Sequence, residues 1–171
     1  MPIVIVPHPA LRKVSKEIKE IDFGTAAFAK LLKDLSLALA SRNDGVGLSA
    51  PQIAINKRIF VVAGKVSRKK NDKDIPPDEY FINPILIKSS KKLASLEEGC
   101  LSIPNIYGIV KRPANVKIEY QNELGEKKTK AASGLLARIF QHEIDHLDGI
   151  LFIDKATNIK ELKNTDANTE Y

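Results

Sequence analysis

Two stretches of the chain repeat apolar residues every three or four positions, the period of a helix with one buried face. The first follows Thr25, a predicted N-cap, and carries Phe28, Leu31, Leu32, Leu35, Ala38 and Leu39. The second lies between Ser133, another N-cap candidate, and Gly149, which suits a left-handed C-cap. The pattern therefore predicts an N-terminal amphipathic helix and a second helix near the end of the chain.

Shorter apolar or alternating runs, bounded by proline, glycine and asparagine, indicate strands. These runs occupy residues 1–6, 58–63, 80–87, 109–111, 116–120 and 127–131. A short, weak helix is expected over 158–163, and a polar tail from about residue 164. We therefore predict a single α+β domain, residues 1–171, in which antiparallel sheet segments pack around the second helix.

The second helix has three rows of side chains. One row is Leu135, Ile139, His142 and His146; its neighbour is Leu136, Phe140, Glu143 and Leu147; the third is Arg138, Gln141, Asp145 and Asp148. The first two rows are mainly apolar and are predicted to face inward, with both histidines and the glutamate among them. The third row is polar throughout and is predicted to be the more exposed side.

His142, Glu143 and His146 match H-E-x-x-H, in which two histidines one helical turn apart bind one divalent metal and the glutamate stands beside it. The alternative is a pair of hydrogen-bonded core histidines. Three inward polar groups without a shared partner would each be costly to bury, which favours the metal site.

An H-E-x-x-H site needs at least one more protein ligand. The extended three-histidine pattern fails, because Phe152 stands at its last position. Glu161 lies in a polar segment without a supporting pattern. Cys100, the only cysteine, offers a thiolate that suits zinc or ferrous iron, and Gly99 gives the backbone room to turn. An inert core cysteine remains the competing interpretation.

The composition limits the domain size, the cellular location and the partners that can be expected. The chain has 171 residues, 43% of them hydrophobic, enough for one core. No apolar run reaches membrane-spanning length and no charged-then-apolar leader is present, so we expect a cytoplasmic protein without membrane contact. The net charge of +6 comes from short, scattered lysine patches without interleaved aromatics, so sequence-specific nucleic-acid binding is not expected.

Three separated stretches of the sequence resemble motifs of one protein family. Residues 45–52 (GVGLSAPQ), 98–102 (EGCLS) and 141–149 (QHEIDHLDG) resemble, in the same order, the three motifs of the peptide deformylases. The segment PHPALR at 7–12 is similar to that family's N-terminal region. The resemblance covers nearly the whole chain. Ser49, where the family more often has alanine, and the less typical residues 106–108 are its departures.

The resemblance implies that Cys100, His142 and His146 hold one divalent ion, with water completing the site. It implies Glu143 as general base, and Gln52 with the backbone N–H of Leu101 as donors to the oxyanion. The implied reaction hydrolyses the N-formyl group from formyl-methionyl peptides and releases formate. Ferrous iron is the implied physiological ion, with zinc or another divalent ion as an alternative.

The same resemblance implies an extended substrate lying between Val46–Gly47 and the Gly99 segment as an added strand. Leu135 and Ile139, one and two turns before His142, are expected to form the methionine pocket. Ribosome association near the nascent-chain exit is a further implied partner. Two other functions stay open: an H-E-x-x-H peptidase that uses Glu161, and a basic RNA-associated protein with a structural metal closed by four protein ligands.

Overall fold

The computed structural model describes residues 1–68 and 73–162. Its helices are α1 (Ala26–Ala40), α2 (Gly64–Ser67) and α3 (Gly134–Leu147). Its strands are β1 (Gly47–Ser49), β2 (Ile59–Val62), β3 (Glu79–Ser89), β4 (Leu93–Cys100), β5 (Ile103–Pro113), β6 (Asn115–Gln121), β7 (Lys127–Ser133) and β8 (Thr157–Glu161). Within this described part, no helix is both long and apolar enough to cross a membrane.

The strands form two sheets in which every pair is antiparallel. The larger sheet has the order β1-β2-β3-β6-β7, and the smaller has the order β4-β5-β8. The predicted α+β class with antiparallel sheets is confirmed. β1 and β4 each lie at an edge of their own sheet, so each presents backbone groups to an additional strand.

Helix α1 starts where its sequence predicts. The hydroxyl of Thr25 accepts a hydrogen bond from the backbone N–H of Phe28 at 3.1 Å, which satisfies one of the free amides of the first turn. The apolar face of the helix then packs against β1 and β2 in one buried cluster that includes Leu35, Leu48 and Ile59. This packing fixes the segment 45–52 from behind.

Helix α3 packs on the larger sheet through aromatic side chains. The rings of Phe81 and Phe140 meet edge to face with centroids 4.8 Å apart, and Phe60 stacks on Phe81 at the same distance. Ser133 precedes the helix but makes no side-chain cap. Gly149 ends it at φ +74°, and a Cβ there would lie 2.7 Å from the carbonyl oxygen of Arg12.

The N-terminal segment is not a strand, contrary to the prediction for residues 1–6. The amides of residues 4–15 bond instead to carbonyls from three distant parts of the chain. The Val4 N–H donates to the carbonyl of Gln52 at 2.8 Å, Val6 to that of Ser102 at 3.0 Å, and Ser15 to that of Leu147 at 2.8 Å. The amides of a short apolar segment can find acceptors outside a sheet. The apolar pattern alone does not distinguish such a segment from a β-strand.

The helix predicted over 158–163 is also wrong in the part that the structure describes. Residues Thr157–Glu161 form β8, whose strand pairing with β5 places Ile106 opposite Glu161 and Tyr107 opposite Lys160. Lys160 also pairs with Glu97 of β4 at 2.5 Å. A partner strand fifty residues away overrides the weak local propensity. The polar tail predicted from about residue 164 lies outside the described residues.

Candidate metal and active site

A cavity of about 410 Å³ opens between the edges of β1 and β4 and is floored by α3. It collects nearly all the side chains that the sequence singled out. Its lining includes Val46, Gly47, Gln52, Gly99, Cys100, Leu101, Leu135, Ile139, His142 and Glu143. His146 lies beneath them and is 1% exposed. Segments that are nearly a hundred residues apart in the sequence thus line the same cavity.

Three potential ligand atoms meet at the floor of this cavity. One donor atom each from Cys100, His142 and His146 lies within 4.8 Å of the others, and the Cys100 Sγ is 3.2 Å from the His146 Nε2. Ligands about 2.0–2.3 Å from one ion lie up to roughly 4.5 Å apart, so little movement would bring these three around a metal. Cys100 ends strand β4, and the histidines occupy successive turns of α3.

The environment of the histidines suits a cation. Burial first, and the charges of His142 and Arg112 next, hold the pKa of His146 well below its usual range, so that imidazole is neutral and able to ligate. Burial lowers the pKa of His142, but hydrogen bonds to Cys100 and Glu98 outweigh it and raise the pKa to about 10. Positive charge is therefore favoured beside the Cys100 sulfur, and the donor set fits a divalent ion.

Glu98 orients His142. Its Oε2 lies 3.0 Å from the His142 Nδ1, which leaves the Nε2 facing the ligand cluster. Burial would raise the pKa of Glu98, but hydrogen bonds from His142 and Arg112 outweigh it and hold the pKa far below its usual range. No role beyond membership of the second motif was predicted for Glu98. The available signal was its spacing of two from Cys100, typical of one strand face.

The polar row of α3 is buried, contrary to the prediction. Arg138, Gln141 and Asp145 are each less than a tenth exposed, and only Asp148 is on the surface. Each of them has at least one partner on β4 or β5: the Arg138 guanidinium, for example, donates to Glu98 at 2.8 Å. A second departure is Leu135, predicted to be inward but 57% exposed at the cavity mouth.

Glu143 lies in the tightest part of the cavity. It is 4% exposed, and its Oε2 has no hydrogen-bond partner among the described residues. Burial is the main reason that the pKa of this carboxyl rises to about 7. Gly47 makes the position available, since a Cβ there would lie 2.8 Å from the Glu143 Oε1 and 2.9 Å from the Ile139 Cγ2.

Gln52 is held with its amide nitrogen toward Cys100. Its Oε1 accepts from the backbone N–H and the hydroxyl of Ser49, both at 2.9 Å. Its Nε2 consequently faces the Ser102 hydroxyl at 3.2 Å and the Cys100 Sγ at 3.6 Å. The amide orientation is fixed by these contacts, so the N–H₂ group is a preorganised donor next to the ligand cluster. Ser49, a departure from the family pattern, takes part in that orientation.

The two rejected ligand positions have other roles. The ring of Phe152 is buried and lies nearly parallel to that of His142, with centroids 6.2 Å apart. Glu161 is exposed on β8 and does not belong to the donor cluster found among the described residues.

Comparison with known proteins identifies the family to which this chain belongs. A family model described as Polypeptide deformylase matches residues 1–162, almost the whole chain. The chain belongs to the polypeptide deformylase family. It is a hydrolase that removes the N-formyl group from nascent peptides.

Individual relatives agree with this assignment. A peptide deformylase of Prochlorococcus marinus (strain NATL2A) is 46% identical over 154 residues, which are 90% of this chain and 72% of the relative. One from Phenylobacterium zucineum (strain HLK1) is 41% identical over 92% of this chain and 88% of its own. A class I type b peptide deformylase from Acinetobacter baumannii superposes with a TM-score of 0.82 at 32% identity, covering 91% of this chain and 97% of that chain.

A solved relative also carries a ligand. The peptide deformylase of Synechococcus elongatus in complex with actinonin superposes with a TM-score of 0.78 at 35% identity, covering 91% of this deformylase and 78% of that chain.

Substituting Gly47 with alanine is expected to lower kcat/KM of this deformylase by about 10- to 100-fold, because the new methyl group displaces the Glu143 carboxylate. Gly108→Ala is the matched control: its Cβ would meet the Ala156 Cβ at 2.8 Å, away from Glu143. Both variants should lose stability in thermal unfolding, but only Gly47→Ala should lose activity. Equal kcat/KM values for the two would contradict the assigned crowding.

The pKa of Glu143 predicts how stability depends on pH in the metal-free protein. A carboxyl with pKa 4.5 in the unfolded chain and about 7 in the fold destabilises the fold progressively as pH rises between these values. Glu143→Gln removes this cost. The variant should therefore match the wild type near pH 4.5 and gain stability relative to it up to about pH 7, as measured by urea unfolding. A difference that is constant over this range would exclude the raised pKa.

Proposed function

We propose that Cys100, His142 and His146 hold the divalent ion with which this deformylase acts, and that the cavity above them binds the formyl-methionyl end of the peptide. The observation that carries the proposal is the convergence of one thiol and two imidazoles within 4.8 Å at the cavity floor. A thiolate with two imidazoles suits ferrous iron or zinc, and we propose ferrous iron as the physiological ion.

When bound, the ion supplies Lewis acidity, which lowers the pKa of a water molecule and polarises the formyl carbonyl. Glu143 takes the proton of the attacking water and later passes it to the leaving amine. In the metal-free site burial raises the pKa of Glu143 to about 7, so the fold opposes full ionisation of this carboxyl and favours a group that can both accept and return a proton. The confined position beside Gly47 keeps the carboxylate at one place relative to the reacting carbon.

Negative charge develops on the formyl oxygen as the water attacks. The Gln52 Nε2, fixed by the bonds of its oxygen to Ser49, donates to this oxygen, and the backbone N–H of Leu101 is the second donor. Neutral donors are suited to this task because they stabilise charge without competing with Glu143 for the proton.

The peptide lies extended between two sheet edges. β1, preceded by Val46, and β4, with Gly99 near its end, are both edge strands that flank the cavity. An extended peptide can add to such edges through backbone hydrogen bonds, which accept many sequences. Methionine is then selected by apolar surface from Leu135 and Ile139, and the exposure of Leu135 at the mouth agrees with a group covered only when substrate enters.

The substrates also suggest where the enzyme works. We infer a cytoplasmic enzyme that meets nascent chains as they leave the ribosome, with no sequence-specific nucleic-acid partner. The exposed position of Glu161 on β8 removes the support for an H-E-x-x-H peptidase that uses it as ligand.

The test is formate release from a formyl-methionyl tripeptide under anaerobic conditions, with metal content measured on the same sample. The matched control substrate is the acetyl-methionyl tripeptide, which keeps the amide but enlarges the acyl group. We expect formate from the first, little acetate from the second and no cleavage of internal peptide bonds. Full metal loading without formate release would exclude the proposed function, and internal cleavage would favour the peptidase.

A further inference from the structure

Arg112 lies at the centre of a buried ionic network that the reaction itself does not use. It is 4% exposed and stands on β5, facing α3. Its Nε and Nη2 donate to the two oxygens of Glu98 at 2.7 and 3.0 Å, a bidentate pair. Its remaining Nη1 donates to the Asp145 Oδ2 at 2.6 Å. One guanidinium therefore joins two carboxylates that make no contact with each other.

Both carboxylates are tied to α3. Glu98 holds the ring of His142, and Asp145 stands one turn further along the same helix. Lys155, about two-fifths exposed, donates to the second oxygen of Asp145 at 2.7 Å. The network thus runs from His142 through Glu98, Arg112 and Asp145 to a lysine at the surface.

We propose that Arg112 is a positioning residue that couples Asp145 to His142, so that Asp145 controls how tightly the metal ion is held without contacting it. The inference rests on the proposed metal site. Asp145 lies beside the ligand His146 in sequence, yet its carboxylate is committed to Arg112 and Lys155.

The coupling follows from how Glu98 is satisfied. Each of its oxygens accepts two hydrogen bonds: Oε1 from Arg112 and Arg138, and Oε2 from Arg112 and His142. Arg112 supplies half of them. Without the Asp145 carboxylate the Nη1 of this buried guanidinium loses its anionic acceptor, and the group is driven to turn toward another acceptor because a buried donor without a partner is costly. Turning breaks the bidentate pair, and Glu98 then holds the His142 ring less firmly.

The experiment is a double-mutant cycle on the rate at which zinc leaves the enzyme. Wild type, Glu98→Gln, Asp145→Asn and the double variant are loaded with Zn²⁺, and its transfer to an excess of a chromophoric chelator is followed. Outer partners of metal ligands typically change affinity by about 10- to 100-fold, so each single variant should release zinc at least about tenfold faster. If both residues act through Arg112, the fold-increase in zinc release for the double variant should be well below the product of the two single fold-increases.

Asp148→Asn is the matched control. Asp148 is on the same helix end and pairs with an arginine, Arg58, at 2.7 Å, but it stands outside the network. It should release zinc within about twofold of wild type. Should Asp145→Asn fail to fold, Lys155→Met perturbs the same carboxylate from the surface and replaces it in the cycle, with an expected increase of about threefold and the same non-additivity with Glu98→Gln.

Three outcomes separate the possibilities. Non-additive zinc release confirms the coupling. Multiplicative effects, or a variant of Asp145 that lowers only the unfolding temperature, overturn it and leave a cluster that stabilises the fold alone. A wild type that binds no zinc, or that retains it after Cys100→Ala, would overturn the proposed metal site itself, which distinguishes the two failures.

Discussion

Replacing Glu143 with glutamine is expected to lower kcat by about 10²- to 10⁴-fold while the metal content stays at the wild-type value. Glutamine keeps the size of the side chain in the tight space beside Gly47, so the cavity should keep its shape. It cannot take a proton from water. Since the side chain is proposed as base and not as ligand, KM should change little. Steady-state kinetics of formate release, paired with metal analysis, measure both quantities.

Glu97→Gln is the matched control for this prediction. Glu97 is a second carboxylate on the cavity lining, but it pairs with Lys160 and is largely solvated. Its kcat should stay within about threefold of wild type, because surface ion pairs contribute little. Loss of metal from Glu143→Gln would make Glu143 a ligand and rule out its role as base.

Cys100→Ala is expected to abolish both metal binding and activity. Residues that only support metal ligands change metal affinity by about 10- to 100-fold, so removing one of the three proposed protein ligands should lower it by more than that. The variant purified without oxygen should contain well under a tenth of an ion per chain, and formate release should fall to background. Metal content is measured by mass spectrometry of the acid-released ion.

Ser102→Ala tests whether the effect belongs to the thiolate. Ser102 accepts from the same Gln52 amide at 3.2 Å and is buried two residues from Cys100, but a neutral serine hydroxyl is not among the usual protein ligands of zinc. This variant should keep its metal and lose activity only modestly through Gln52. If Cys100→Ala kept the ion, the inert-cysteine interpretation would be correct and a different third ligand would be required.

Local patterns predicted much of this molecule. The helical period around Phe28 and Phe140 located both long helices, because an apolar stripe is written in consecutive turns of one segment. The spacing of His142 and His146 predicted that both imidazoles would reach one point, since helix geometry alone sets their separation. Local patterns could not predict that Cys100 lies beside these histidines, because its approach to the helix depends on how β4 packs.

The predictions were wrong where a residue's burial or secondary structure depends on a partner that is distant in the sequence. Arg138 and Asp145 were expected on the surface because polar side chains usually are, whereas Glu98 and Arg112 on other strands supply the charges that make their burial affordable. No period within α3 encodes those partners. The same holds for β8, where pairing with β5 replaced the weak helix expected from composition.

The hydrogen bonds of the N-terminal segment have a consequence for the time course of synthesis. Val4, Val6 and Ser15 are synthesised well before the residues whose carbonyls accept from them, which are Gln52, Ser102 and Leu147. A chain interrupted before α3 lacks His142 and His146 and also leaves the Ser15 N–H without its native acceptor, the carbonyl of Leu147. The cavity of this enzyme, which α3 floors, can therefore be complete only after α3 has been synthesised.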